Sequence, residues 1–154
     1  MLSARDLCAL IHKGGVFSVE GKTMKAVYSE MLAKMNLPEG LDQRQFFEEL
    51  LVRERILSTA VGDGVAIPHS RKPMISDSEA QRLAICFLKE PLDMNAPDGM
   101  KVQVLFVPLT ALSSFHLELL SRIALLVRNA EFKKLLWTQP DEDTLCAAIK
   151  KILQ

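Results

Sequence analysis

The stretch RERILSTAVGDGVAIPHSR, from Arg53 to Arg71, decides how the rest of the chain is interpreted. It begins as the end of a helix, passes through the glycine-rich turn Gly62–Gly64 and ends in a short apolar run before Pro68 and His69. Proline fixes its own φ and biases the preceding residue toward an extended conformation. We therefore expect His69 to end a stiff segment that holds its ring in one place. Such a histidine suits nucleophilic or proton-transfer chemistry, because its reference pKa of about 6.5 leaves it mostly neutral near pH 7.

The helix that leads into this stretch is predicted from Asp42 to Ile56 by its apolar spacing. Projection at about 100° per residue places Arg53 at the edge of the apolar face and Glu54 within that face, whereas Arg55 points toward water. Arg53 is therefore the arginine aimed inward. This geometry leaves two interpretations open: a surface ion pair at a fraying helix end, or an arginine held ready for an anion.

Apolar periodicity also predicts secondary structure along the rest of the chain. Further helices are predicted at Ser3–Lys13, Thr23–Met35, Ser114–Arg128, Glu131–Trp137 and Pro140–Leu153. Strands are predicted at Val16–Val19, Arg82–Leu88 and Val102–Val107, with loops at Arg71–Gln81 and Lys89–Met100. Pro108 is expected to stop the third of these strands. Strands interleaved with helices indicate an α/β domain, and residues 1–154 are expected to form a single domain.

A second histidine of interest, His116, falls in the first turn of the helix predicted at Ser114–Arg128. Leu120, Ile123 and Val127 follow it at +4, +7 and +11, so His116 shares the buried face of that helix. Two interpretations are open. The side chain is either a core histidine with satisfied hydrogen bonds, or a group that flanks a phosphate near the helix N-terminus, where free backbone N–H groups favour an anion.

The composition excludes several classes of function. Nineteen basic and nineteen acidic residues balance to a net charge of zero, so no strong basic field is available to bind nucleic acid or anionic lipid. The apolar runs are far shorter than the roughly 20 residues that a membrane-spanning helix needs, so no membrane insertion is expected. The first residues lack the apolar region and cleavage site of a secretion signal. Cys8, Cys86 and Cys146 are expected to be free thiols in a reducing cytoplasm.

The central stretch resembles the phosphorylation-site segment of enzyme IIA domains of the bacterial phosphotransferase system, in the mannitol, fructose and nitrogen-regulatory class. That family typically reads R-E-x-x-G-S-T-G-I-G-x-G-I-A-I-P-H. Ten of the seventeen positions match, namely Arg53, Glu54, Ser58, Thr59, Gly62, Gly64, Ala66, Ile67, Pro68 and His69. The resemblance extends along nearly the whole chain and implies a three-layer α/β/α fold, in which a small mixed β-sheet has helices on both faces.

The resemblance implies a phosphocarrier that works in the cytoplasm as a phosphotransferase component. His69 would accept a phosphoryl group from a histidine phosphocarrier protein of the HPr or NPr type, through a phosphohistidine intermediate. Arg53 and His116 would complete the catalytic set, and Ser58 and Thr59 would bind the phosphate. No cofactor and no metal are expected, because donor and acceptor are both protein histidines. The regulated target protein or a IIB component would be the further partner.

The chain departs from the family pattern at Leu57 and Ala60, which stand where the family has glycine on either side of the Ser-Thr pair. A Cβ at a position with positive φ, or with a close backbone neighbour, costs about 1 kcal/mol or more, so the two hydroxyls are expected to be aimed differently. Asp63, where asparagine is common, adds charge near the expected phosphate.

Alternatives to a nitrogen-type regulatory IIA remain open at this point. The first is a sugar-specific IIA, for fructose or mannitol, that passes its phosphoryl group to a IIB component. The second is an interaction module that kept the fold but is not phosphorylated, and the departures at Leu57 and Ala60 motivate it. A metal site built on His69 and His116 is the third, although no carboxylate lies at a ligand-like spacing.

Overall fold

The computed structural model describes residues 1–153, so Gln154, the last residue of the predicted domain, lies outside the described residues. The helices are α1 Ala4–Gly14, α2 Met24–Lys34, α3 Gln43–Ile56, α4 Ser113–Arg128, α5 Ala130–Leu136 and α6 Glu142–Ile152. The strands are β1 Val16–Val19, β2 Ala60–Gly62, β3 Val65–Ala66, β4 Arg82–Leu92 and β5 Val102–Leu109, with a short 3-10 helix at Ser78–Ala80. Each predicted helix and strand is present in the described residues; β1 has the predicted bounds, and the other elements have shifted ends.

The five strands form one mixed sheet in the order β1-β4-β5-β3-β2. The long strands β4 and β5 run antiparallel at its centre. β1 pairs with β4 in parallel, and β3 pairs with β5 in parallel. The short strand β2 is antiparallel to β3 and forms the edge. The predicted mixed sheet is therefore confirmed, and the segment that leads to His69 lies beside the central strand β5.

Helices cover both faces of this sheet. Alternate residues of β4 enter two separate apolar clusters: Leu83 and Ile85 face one, Ala84 and Cys86 the other. The first cluster takes its helical side chains from α1, α4, α5 and α6, and the second takes them from α2 and α3. Both sheet faces of the buried strands are thus apolar, which is why their sequences read as continuous apolar runs. The predicted three-layer α/β/α fold is confirmed.

The predicted ends of the two central strands were wrong because proline does not stop either of them. β5 continues through Pro108 to Leu109, beyond Val104 and Leu105, where β3 pairs with it. One edge of β5 is open at that point, so a missing N–H costs no ladder hydrogen bond on that side. β4 continues through Pro91 to Leu92, in a segment where its register with β5 shifts. Such irregularities are where a strand accommodates proline.

The hairpin between β2 and β3 was not predicted as a pair of strands. Its turn has positive φ at three consecutive residues: Gly62 at 98°, Asp63 at 54° and Gly64 at 76°. A Cβ added at Gly64 would lie 2.8 Å from a ring carbon of Trp137, so a larger residue has neither the conformation nor the space there. The Asp63 backbone N–H donates to the Asp98 carboxylate at 2.8 Å, which fixes the turn.

Side-chain caps define most helix starts. Ser3, Thr23, Asp42, Asn129 and Asp141 each accept a backbone N–H of the first turn that follows. The last helix therefore begins at Glu142 after its cap, rather than at Pro140 as predicted. Among residues 1–153, no helix combines the length and the apolar character that crossing a membrane would require.

Candidate phosphoryl-transfer site

One cleft collects both histidines singled out from the sequence. Its volume is about 440 Å³, and it is bounded by the end of α3, the segment after β3, the end of β5 and the start of α4. The lining residues are Arg53, His69, Ser70, Arg71, Lys72, Pro73, Pro108, Thr110, Ser113, His116, Leu117 and Leu120. The predicted catalytic residues therefore lie together in space, although they are far apart in sequence.

The ring of His69 is oriented by the backbone of its own segment. Its Nδ1 lies 2.7 Å from the carbonyl oxygen of Ile67. A carbonyl oxygen can only accept, so Nδ1 carries the proton and donates it, and the free lone pair is on Nε2. Burial lowers the pKa of His69 below its ordinary value of 6.5; the bond to Ile67 opposes this shift and the positive charge of Arg53 adds to it. The ring is therefore neutral at pH 7, with one nucleophilic nitrogen.

His116 lies across the cleft from His69. The ring centroids are 5.1 Å apart and the ring planes are inclined at 53°. The Nδ1 atom of His116 is 3.1 Å from the hydroxyl oxygen of Thr110, at the end of β5. Burial lowers the pKa of His116, and the neighbouring His69 adds to the lowering. Helical spacing placed His116 on the buried face of α4. In the structure its side chain lines the cleft, and Ile123 and Val127, which follow on the same face, are buried.

Arg53 reaches the cleft from the last turn of α3. Its guanidinium donates to the backbone carbonyl of Leu57, and the side chain lines the cleft beside His69. The projected helix faces agree with the structure, since Glu54 is buried and Arg55 is exposed. This bond orients the guanidinium while it keeps further donors for an anion.

Two more cations line the cleft and were not predicted as site residues. Arg71 and Lys72 come two and three residues after His69 in the sequence, in the loop before β4. Arg53, Arg71 and Lys72 are the residues of the cleft lining that are charged at neutral pH, and all three are basic. Their proximity to His69 in the sequence was a usable signal. A neutral net charge for the whole chain hid this local positive field.

Ser58 and Thr59 are placed away from the cleft lining. The Ser58 hydroxyl donates to the carbonyl of Met94 and accepts the N–H of Ala60. Thr59 is only 5% exposed, and its hydroxyl and its N–H both donate to the carboxylate of Glu54, at 2.6 and 2.7 Å. In this conformation both hydroxyls are committed to protein acceptors, so their predicted phosphate-binding role stays a prediction.

The structure corrects the expectation of strain at the two positions that replace family glycines. Leu57 has φ −161° and ψ 136°, an extended conformation open to any residue. Ala60 lies in β2 without a positive φ. Neither residue therefore carries the cost of a Cβ at positive φ. Asp63 forms an ion pair with Lys133 at 3.3 Å on the hairpin turn and does not line the cleft, so its charge is not placed beside the histidines.

The site's chemistry follows from this set of groups. A neutral nucleophilic imidazole faces a cleft whose charged residues are all cations, beside the first turn of a helix whose cap residue, Leu112, supplies no side-chain acceptor. Backbone N–H groups at such a helix start favour an anion. In residues 1–153, no three His, Cys, Asp or Glu side chains are grouped as metal ligands. The arrangement can bind a phosphoryl group and present a nitrogen nucleophile to it.

Comparisons with known proteins agree with this geometry. The profile of the family described as "Phosphoenolpyruvate-dependent sugar phosphotransferase system, EIIA 2" matches residues 10–152. A nitrogen regulatory protein of Pseudomonas aeruginosa is 36% identical over 132 residues, which cover 83% of each chain. The fructose-specific EIIABC component of Bacillus subtilis is 30% identical over 87% of this chain, but only 21% of that protein is covered.

A solved structure supports the same assignment. The nitrogen regulatory protein IIA-Ntr of Neisseria meningitidis superposes with a TM-score of 0.73 at 28% identity, covering 87% of this chain and 91% of the other. The chain belongs to the EIIA 2 family of the phosphoenolpyruvate-dependent sugar phosphotransferase system, and its function is that of a IIA phosphocarrier.

Proposed function

We propose that His69 is the phosphoryl acceptor and that it reacts through Nε2. The observation that carries this proposal is the 2.7 Å bond from Nδ1 to the Ile67 carbonyl, which leaves the lone pair on Nε2. That lone pair attacks the phosphorus of a phosphohistidine on the donor protein. The new bond joins Nε2 to phosphorus, the donor's N–P bond breaks, and its electron pair returns to the donor ring. No base is required, because the attacking nitrogen carries no proton.

The other cleft residues stabilise the transferring group. Little covalent bonding holds the phosphoryl group in the transition state, so the site acts mainly by positioning and by charge stabilisation. Arg53 supplies a fork of N–H donors to the equatorial oxygens. His116 donates to a phosphoryl oxygen when its Nε2 carries the proton, the tautomer in which its Nδ1 accepts from Thr110. Ser58 and Thr59 remain predicted phosphate ligands, although their hydroxyls would first have to leave their present partners.

The partner that delivers the phosphoryl group is a histidine phosphocarrier protein of the HPr or NPr type. Two exposed leucines suit a protein partner: Leu57 is 69% exposed and Leu117 is 67% exposed. Leu57 lies beside Arg53 through their hydrogen bond, and Leu117 is part of the cleft lining. The place of this exchange is the cytoplasm, and the functional unit is a single IIA domain of residues 1–154.

The subtype is a nitrogen-type regulatory IIA, whose phosphorylation state controls a target protein. Identity to the nitrogen regulatory protein of Pseudomonas aeruginosa over 83% of both chains supports this subtype. The second candidate is a sugar-specific IIA that feeds a IIB component, favoured by identity to a fructose-specific EIIABC component. The third candidate, an unphosphorylated interaction module, loses its motivation because Leu57 and Ala60 are unstrained.

Phosphoryl transfer in vitro tests the proposal. The protein is mixed with phosphoenolpyruvate, enzyme I and a histidine phosphocarrier protein, and intact mass is measured with time. We expect an acid-labile phosphoryl adduct on the wild type and none on His69→Ala. The matched control is His12→Gln, an exposed histidine that pairs with Glu142 on a different part of the surface. An adduct that persists in His69→Ala would overturn the assignment of the acceptor.

A second experiment separates the subtypes. The phosphorylated protein is purified and offered to fructose and mannitol IIB domains in separate reactions. A nitrogen-type regulator keeps its phosphoryl group under these conditions. Rapid transfer to either IIB domain, at a rate similar to that of the cognate IIA, would establish the sugar-specific alternative instead.

A further inference from the structure

We infer that Glu54 and Thr59 are positioning residues for His69, and that they act through a continuous path of hydrogen bonds in the hairpin. This inference rests on the proposed function of His69 as the acceptor. It assigns to Thr59, in the unphosphorylated protein, a positioning role that is distinct from its predicted phosphate binding, and it gives a role to Glu54, which the proposed reaction leaves unused.

The path begins at the buried end of α3. The Glu54 carboxylate accepts the Thr59 N–H at 2.7 Å and the Thr59 hydroxyl at 2.6 Å. The Thr59 carbonyl then accepts the N–H of Ile67 at 3.0 Å, which joins the two arms of the hairpin. The Ile67 carbonyl accepts Nδ1–H of His69 at 2.7 Å. Each link fixes the next, because donor and acceptor alternate along the backbone between the carboxylate and the ring.

The carboxylate itself has little freedom. Glu54 is 8% exposed, and it also accepts the hydroxyl of Tyr28 at 2.9 Å. Tyr28 is fully buried, and its burial together with the charge of Glu54 raises the pKa of the phenol, so it remains a donor. A carboxylate with three donors in a buried position is held in one orientation. Its two bonds to Thr59 therefore define where that residue lies relative to α3.

The same helix turn also supplies Arg53. Because Arg53 and Glu54 are adjacent at the end of α3, one helix end places the phosphoryl-binding guanidinium directly and the nucleophilic ring through Thr59 and Ile67. The distance between guanidinium and ring thus depends on the Glu54–Thr59 bonds. A misplacement on the scale of 1 Å can cost up to about a hundredfold in rate.

Three substitutions test the path. Glu54→Leu removes both acceptors, Thr59→Val removes the hydroxyl but keeps the N–H, and Thr59→Ser keeps both donors. Tyr28→Phe is the matched control, since it removes a buried bond to the same carboxylate without touching the path to His69. Two readouts are used: the rate of phosphorylation by the phosphocarrier, and the tautomer of His69 from ring nitrogen NMR shifts in the unphosphorylated protein.

We expect the rate to fall about tenfold or more in Glu54→Leu and a few-fold in Thr59→Val, with Thr59→Ser within about twofold of the wild type. In the two impaired variants His69 should lose its single Nδ1–H tautomer. Tyr28→Phe should lower the unfolding midpoint but keep that tautomer. If Glu54→Leu does not fold, Thr59→Val alone decides.

Other outcomes overturn the inference. A slower rate in Thr59→Val with an unchanged His69 tautomer would make Thr59 a phosphate ligand rather than a positioning residue. Unchanged rate and tautomer in Thr59→Val and Glu54→Leu would exclude the path. Neither result would affect the proposed function, which fails only if the wild type is not phosphorylated on His69.

Discussion

The two histidines of the cleft are held in different ways. The Nδ1–H group of His69 donates a hydrogen bond to the backbone carbonyl of Ile67. The hairpin that precedes His69 is hydrogen-bonded to Glu54 of α3 and is paired with β5 of the central sheet. His116 is bonded to a side-chain hydroxyl, Thr110, which can either donate or accept. The proton of His69 therefore has one position, whereas that of His116 can exchange. This difference suits one ring for attack and the other for adjustable contact with a phosphoryl oxygen.

Removal of the His69 ring should have the largest effect on phosphoryl acceptance. We expect His69→Gln to abolish phosphoryl acceptance, because no other nitrogen in the cleft has a lone pair held in one place. Intact mass after incubation with the phosphocarrier system measures the adduct. Stable labelling of His116 in this variant, located by peptide mapping under neutral conditions, would show that the two rings are interchangeable.

Removal of the His116 ring should slow phosphoryl transfer without stopping it. We expect His116→Gln to lower the rate of phosphoryl acceptance by about 100- to 1000-fold, the range seen when one donor to a developing anion is lost. Rapid-quench kinetics at saturating phosphocarrier give the rate. A complete loss of the adduct would mean that phosphoryl acceptance requires His116 as strictly as it requires His69.

The hydroxyl that holds His116 should contribute less. Thr110→Val keeps the shape of this buried side chain and removes the bond to Nδ1, so we expect a reduction of a few-fold, equivalent to about 1 kcal/mol. Thr110→Ser is the control and should stay close to the wild type. The same rapid-quench assay applies, and equal rates for valine and serine would mean that the bond does not orient the ring.

Phosphoryl acceptance and stability should both change least with pH near neutrality. Burial lowers the pKa of both rings below 6.5, so acceptance should hold from pH 8 to 6.5 and be half lost only below pH 6.5. The unfolded chain binds more protons than the folded one in that range, so stability should also decrease as pH falls through 6.5. NMR titration and urea unfolding at several pH values measure both. A midpoint above 6.5 for His69 would contradict the lowered pKa.

Local geometry made much of this predictable from the sequence. Helical projection placed Arg53, Glu54 and Arg55 correctly, because the angle per residue is fixed by the backbone. The same reasoning placed His116 at the start of its helix, above two buried residues. Apolar runs located both central strands, since a strand buried on both faces has little room for polar side chains.

Features that depend on distant partners were not predictable in this way. The strands β4 and β5 pass through proline because of what their neighbours leave unpaired, and that pairing is not encoded near the prolines. Ser58 and Thr59 match a motif, but their hydroxyl directions are set by Met94 and Glu54. Position in the sequence predicts where a side chain lies, whereas the direction of its hydroxyl depends on its hydrogen-bond partners.

The bond between His69 and the Ile67 carbonyl also bears on how long the phosphoryl group can be stored. In the proposed reaction Nδ1 keeps its proton, so the phosphorylated ring is cationic and its hydrogen bond to the carbonyl becomes charge-assisted and stronger. When the phosphoryl group departs, the ring returns to neutral without any proton moving. Because the charge-assisted hydrogen bond exists only while the ring is phosphorylated, it stabilises the phosphorylated protein and favours storage of the phosphoryl group.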